Sequence, residues 1–209
     1  MGTRSDILKA AKEEFLAKGF RTASLRQIAA KSAVTTGAIY GCFENKDALF
    51  RAIVEEDLRE LRALVESSAE KYLLDDLLRN ALENFSDYEQ YGKHLVEEQM
   101  AFFRYLYDHR ESIILLLFQS EGSSLENFLK DFIQVDVDHT ILIYKELKQI
   151  EKLDIYTKRV LELMVEASTL AFATIFKENE KFEDAKPYLE TTTIYYLNSF
   201  ISYIQLKKE

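Results

Sequence analysis

The chain holds one cysteine, one proline, six glycines and no tryptophan. A single cysteine excludes an internal disulfide and a cysteine-built zinc site, and points to a reducing compartment. One proline among 209 residues, 47% of them hydrophobic, excludes a disordered chain, because disorder goes with proline enrichment and a shortage of core-forming residues. The longest apolar run, Ile113 to Phe118, is six residues long, whereas a membrane-spanning helix needs roughly 18. The opening Met1-Gly2-Thr3-Arg4-Ser5-Asp6 carries no apolar signal region. These absences predict a soluble, globular, cytoplasmic chain with no membrane association.

Catalytic signatures are missing too. There is no glycine-rich phosphate loop, no GxSxG and no HExxH. His94, His109 and His139 are far apart in sequence, and Asp136-x-x-His139 is a lone carboxylate-x-x-His pair where a di-iron bundle needs two. The expectation is a chain that is not an enzyme and holds neither metal nor cofactor.

What is present is unevenly spread. The net charge is −9, which taken alone speaks against nucleic acid. Residues 1–50, however, hold eight Lys/Arg against five Asp/Glu, while the remaining 159 residues hold 19 against 31. A small basic module joined to a larger acidic body is either chance scatter of surface charge or a functional division, and where the basic residues lie decides between them.

The apolar spacing is helical almost throughout. Thr3-x-x-Asp6 opens a helix with Ile7, Ala11 and Phe15 on one face. Gly19 ends it, and Phe20 folds back on Phe15. Ser24-x-x-Gln27 reads as a capping box for a short helix with Leu25, Ile28 and Ala29 inward. Thr35 caps a third helix carrying Ile39 and Phe43, and Asn45 a fourth with Ala48, Leu49, Ala52, Ile53 and Leu61 on its buried side. Beyond residue 66 the spacing predicts helices over 72–90, 94–107, 110–119, 124–150, 154–179 and 187–206, broken by Gly92, by Gly122-Ser123-Ser124 and by the polar stretch ending at Pro187. No stretch alternates as a strand would. The predicted class is all-α: a helix-turn-helix domain over 3–50, with the motif at about 24–43, then helix 46–66 as a link into a body over 51–209.

Two short helices at this spacing suit a DNA reader. The first braces across the phosphate backbone and the second presents its N-terminal end to the major groove. Thr35, Thr36, Gly37 and Ala38 are small enough to let that end approach base edges, and its free N–H groups favour phosphate. Arg26 has no apolar job. The run Ile7-x3-Ala11-x3-Phe15-x3-Gly19-Phe20, then Thr22-x-Ser24-Leu25-x2-Ile28-Ala29, then Val34-Thr35-x-Gly37-x-Ile39-Tyr40-x2-Phe43-x2-Lys46-x2-Leu49 resembles the TetR family of bacterial transcriptional regulators. The resemblance covers roughly residues 3–55. Two positions depart from it: Ser32-Ala33 stands where the family often has Ala-Gly, and Cys42 where Tyr or His is common. A non-glycine residue in a left-handed turn costs roughly 1 kcal/mol.

The resemblance implies roles. Thr35, Thr36, Gly37 and Ala38 lie nearest the bases, and Tyr40 projects toward the backbone or a thymine methyl. Ser24, Arg26 and Gln27 sit near phosphates, and Lys46 meets phosphate at the start of the fourth helix. It also implies a homodimer on double-stranded DNA with a palindromic operator, and a helical body that dimerises and binds a small hydrophobic or aromatic effector, whose arrival releases a repressor. The alternative is a DNA-binding protein of the same family without a small effector, acting through a protein partner or in chromosome organisation. Candidate interface residues in the last two helices are Leu161, Met164, Ser168, Phe172, Thr193, Tyr196, Leu197, Phe200 and Ile204. Candidate effector-pocket residues are Phe102, Phe103, Tyr107, Phe118, Glu121, Phe132, His139, Tyr144 and Phe172, a mix of rings and polar groups that a cavity would use.

Overall fold

A computed structural model describes residues 3–73, 78, 80, 82 and 85–206, and among these every regular element is a helix. The helices are α1 (Arg4–Thr22), α2 (Leu25–Lys31), α3 (Thr36–Cys42), α4 (Lys46–Leu73), α5 (Phe85–Asp108), α6 (Arg110–Phe118), α7 (Phe128–Lys148), α8 (Ile155–Glu178) and α9 (Phe182–Leu206). The all-α expectation holds. The helix expected over 72–90 falls partly on residues 74–84, most of which lie outside the described residues.

Local signals set most of the N-terminal boundaries. Thr3 and Asp6 form the reciprocal capping box at α1. Gly19 interrupts α1 with φ +71°, a conformation that glycine adopts without the Cβ clash other residues suffer. The chain kinks there, and Phe20 returns to stack on Phe15 with ring centroids 5.8 Å apart. Phe50 closes the group, edge-on to both rings at 5.1 and 5.2 Å. Asn45 caps α4 by accepting the Ala48 N–H at 2.8 Å.

Three local expectations are corrected. Ser24 makes no side-chain cap, so the Ser24–Gln27 capping box does not form. The chain continues straight through Gly92 inside α5. One helical glycine costs only about 1 kcal/mol, and Tyr91 beside it is buried against Leu197 and Ile201, which holds the helix on both sides. Pro187 lies inside α9 rather than at its start, because Phe182 and Ala185 are buried and carry the helix back to residue 182. Among the described side chains of α4 the buried ones are Leu49, Phe50, Val54, Leu58 and Leu61, with Ala48, Ala52 and Ile53 only half-buried.

The chain forms two compact units: Met1–Ala63 with His109–Asp131, and Leu64–Asp108 with Phe132–Glu209. The first, here the head, therefore takes in α6 and the loop after it, a segment that the sequence groups with the body. The reason is apolar burial. Ile113, Leu115 and Leu116 are buried, and α6 packs on α1. In the second unit, here the body, α9 packs along α5 and α8. Its core gathers Leu78, Tyr91, Leu197 and Ile201 in one cluster and Tyr144, Leu161 and Ile204 in another.

Candidate nucleic-acid interface

The turn between α2 and α3 holds the two helices at a fixed angle. Val34 N–H donates to Ala29 O at 3.0 Å and Ser32 Oγ to Ile28 O at 2.7 Å. Ala33 adopts φ +53°, so the strained turn position identified in the sequence is real and a side chain occupies it. Ile28 and Ile39 seal the inner faces of the two helices. The outer face is thereby left to the polar residues.

Thr35 Oγ1 accepts the Ala38 N–H at 3.1 Å, which fixes the start of α3. Thr35, Gly37, Ala38 and Tyr40 are exposed, and Thr36 is half-buried. A Cβ built on Gly37 would meet only Thr35 Oγ1, at 3.7 Å, so this end of α3 is an open, small-residue surface. Tyr40 is a large ring that stands 53% exposed. Arg26 and Gln27 are exposed on α2, and Ser24 is half-exposed with its hydroxyl free of any cap. Cys42 is exposed at the end of α3. The structure thus brings all the expected DNA-facing residues except Lys46 to α2, α3 and the residues that start them.

Lys46 has a second job. Its ammonium donates to Arg21 O at 3.3 Å and lies 4.8 Å from the centre of the Phe20 ring, and burial lowers its pKa. It ties the start of α4 to the end of α1.

The sequence reading missed the residues that tie α1 and α2 together. Glu14 is buried on α1. Its carboxylate takes Lys18 Nζ at 2.9 Å and Lys31 Nζ, from the end of α2, at 3.3 Å, and the Ser24 N–H at 3.4 Å. The Lys18 hydrogen bond is the main reason that its carboxyl is held below the ordinary value of 4.5, burial opposing it. The loop after α6 makes further ties. Gln119 O accepts the Phe20 N–H at 2.8 Å, and Gln119 Nε2 donates to Leu16 O at 3.0 Å. Glu121 pairs with Arg21 at 2.8 Å. Ser124 donates from N and Oγ to the two Asp47 carboxylate oxygens, at 2.7 and 2.8 Å. The only sequence signal for Glu14 is an acid within the apolar face of α1. For the Asp47–Ser124 tie there is none, because the partners are 77 positions apart.

The remaining expected residues separate. Of the pocket set, Phe118 and Glu121 belong to the head, with Glu121 exposed on Arg21. Phe102, Phe103, Tyr107, Phe132, His139, Tyr144 and Phe172 belong to the body. Phe103 touches Phe102 and Phe172, at 5.8 and 4.9 Å between centroids. Tyr107 packs on Phe176 and Phe182 and donates to Asn179 O at 3.1 Å. Tyr144 is buried core, beside Tyr203.

Of the interface set, Leu161, Thr193, Leu197 and Ile204 are buried within the chain itself and have no surface left for a second copy. Met164, Ser168, Phe172, Tyr196 and Phe200 are half-buried. The exposed apolar faces of the same helices lie one step round: Leu163, Ala167 and Leu170 on α8, and Tyr188, Ile194 and Tyr195 on α9.

Among the described residues no helix is long and apolar enough to cross a membrane, and no three His, Cys, Asp or Glu side chains gather as a metal site.

Comparison with known proteins agrees with this geometry. A family model described as bacterial regulatory proteins, tetR family, matches residues 7–53. The HTH-type transcriptional regulator UidR of Escherichia coli K12 is 33% identical over 100 residues, 47% of this chain and 50% of that protein. The HTH-type transcriptional repressor BepR of Brucella suis biovar 1 is 33% identical over 94 residues, 42% of this chain and 45% of that protein. The matched part thus spans about half the length of these curated relatives. Among solved structures, a TetR-like transcriptional regulator from Rhodococcus sp. RHA1 superposes with a TM-score of 0.57 at 20% identity, over 90% of this chain and 92% of that one. A transcriptional regulator from Aquifex aeolicus VF5 gives 0.53 at 21%, over 91% and 96%. Likeness at these identities extends the shared fold to the body.

Proposed function

We propose, from the match of residues 7–53 to the tetR family of bacterial regulatory proteins, that the chain is a DNA-binding transcriptional regulator, a homodimer that represses from a palindromic operator and is released by a small molecule held in the body. One observation carries the reading. The head offers an uncovered helix end, Thr35 to Ala38, flanked by the exposed Arg26, Gln27 and Tyr40. Small residues there admit base edges, and the neighbouring polar groups suit phosphates. The basic excess of residues 1–50, set against the acidic excess of residues 51–209, supports it.

One head offers too few contacts for specific binding, whereas two on a two-fold axis read a palindrome. The exposed stripes support a second copy. Leu163 and Leu170 on α8, and Tyr188 and Tyr195 on α9, each recur at seven residues, between 48% and 64% exposed. That spacing keeps large side chains in line along one face of a helix, as a four-helix interface requires.

The test is a mobility-shift survey of genomic fragments followed by footprinting. We expect retention of a discrete fragment and protection of two half-sites related by a two-fold axis. Tyr40→Ala is expected to weaken that fragment more than bulk DNA. Failure to retain any fragment above bulk DNA, or a single unsymmetrical footprint, would overturn the proposal.

A further inference from the structure

Residues 1–50 hold eight Lys/Arg, and most of these are already engaged within the head. Lys12 pairs with Glu111 at 2.7 Å and Arg21 with Glu121 at 2.8 Å. Lys18 and Lys31 share the buried Glu14 carboxylate. Lys46 donates to Arg21 O, and Lys9 offsets the charge of Asp6. Arg4 and Arg26 remain, both exposed, with no carboxylate on either among the described residues. Arg26 belongs to the helix-turn-helix. Arg4 lies outside it, at the first position of α1.

Arg4 is nonetheless held in place. Its guanidinium lies over the Phe43 ring, 5.0 Å from the ring centre. Phe43 is buried and is the C-cap of α3, so Arg4 is moored at the far end of the helix whose start, Thr35 to Ala38, is uncovered. The acid two positions on does not claim it, because Asp6 Oδ2 accepts the Thr3 N–H and hydroxyl at 2.7 and 2.8 Å. The seven residues of α3 span about 10 Å, and the major groove is about 12 Å wide. A helix that sets its start against base edges therefore brings its far end, and Arg4 with it, to the wall of the groove, where the phosphates run. The guanidinium fork matches two oxygens of one phosphate. Contact with the ring restrains a long side chain beforehand, which lowers the entropy lost on binding.

We propose that Arg4 is a DNA contact outside the helix-turn-helix: a phosphate clamp, moored on Phe43, that grips the backbone at the far end of α3. It adds affinity without sequence preference, since a phosphate carries none. The inference rests on the DNA-binding reading above and adds to it a contact from α1.

The experiment measures binding of the full-length native protein and three variants to the fragment retained in the mobility-shift survey and to bulk DNA, between about 50 and 200 mM salt. Arg4→Ala should lower the salt slope by about one per head and weaken operator and bulk DNA alike, by about tenfold for each head. An unaltered melting curve would show that the fold survives. Arg4→Lys keeps the charge and loses the fork, so it should keep the native slope and bind between the native protein and Arg4→Ala. Lys12→Ala, which removes a cation already paired with Glu111, should leave the slope unchanged. Three results would overturn the inference: an unchanged slope in Arg4→Ala, an equal fall in Lys12→Ala, or full native affinity in Arg4→Lys. A loss confined to the operator would overturn the phosphate assignment by making Arg4 a reader of sequence. Operator binding by the native protein with an unchanged Arg4→Ala slope counts against this contact alone, whereas a native protein that binds no DNA overturns the DNA-binding reading and this contact with it.

Discussion

Head and body organise their exposed surface in opposite ways. In the head the outward face is small and polar, and the large residues are spent inside: Phe15, Phe20 and Phe50 stack on one another while Gly37 and Ala38 look out. In the body the outward face of the last two helices is large and apolar, with Leu163, Leu170, Tyr188 and Tyr195 standing in solvent, while polar groups such as Asp136, Thr169 and Thr193 lie in or near the interior. The proposed reading of an anionic groove by the head would need small polar groups held rigidly. The proposed pairing of the body with a second copy would need large apolar ones. The two units also differ in how they are held. Short helices have little packing area, so the head depends on caps and side-chain ties such as Glu14 to Lys18 and Lys31. The long α8 and α9 rest on continuous stripes of buried side chains.

The contrast is broken most severely by removing the ring at the centre of the head. Phe15→Ala is expected to cost about 3–5 kcal/mol in urea unfolding and to abolish operator binding at ambient temperature. Phe172→Ala, half-buried in the body, should cost less, and an equal loss would erase the distinction between a fully buried ring and a half-buried one. Next in size is Leu170→Glu, which sets a charge in the proposed pairing face. Light scattering across a dilution series should show the dimer dissociating at concentrations at least about tenfold higher. A dimer as tight as before would move the interface elsewhere.

Glu14→Gln sharpens the comparison through pH. The folded-state pKa of Glu14 lies below its ordinary value of 4.5, so its contribution is present above that value and is lost as the pH falls through the folded one. Melting temperatures of native and variant protein should therefore differ at pH 7 and converge at acid pH. A gap that stays constant with pH would show that Glu14 acts by shape rather than charge. Lys46→Ala should lower the salt slope of DNA binding by about one per head and, because its ammonium also sits on Arg21 O, reduce the melting temperature slightly. A changed melt with an unchanged slope would assign Lys46 to the head's architecture alone. The smallest effect is a gain. Ala33 has φ +53°, so Ala33→Gly should relieve part of a strain of about 1 kcal/mol, read as a raised denaturation midpoint with operator affinity retained.

By itself the sequence determined the all-helical class, the caps at Thr3, Thr35 and Asn45, the break at Gly19 and the start of α3 at Thr36. Each depends on residues within four or five positions of one another, where side-chain chemistry and backbone geometry are directly coupled. The Ser24 box failed even at that range, because the Ser24 N–H turns to Glu14 ten positions back. Only the tertiary structure decided that α6 joins the head, that Asp47 is held by Ser124, and which side of α8 and α9 is left uncovered. A seven-residue stripe reports that a helix has an apolar face. When a helix has two such faces, as α8 does with Leu161 and Val165 buried and Leu163 and Leu170 exposed, spacing cannot say which one the chain buries. That choice is made by the residues that arrive opposite it from elsewhere in the chain.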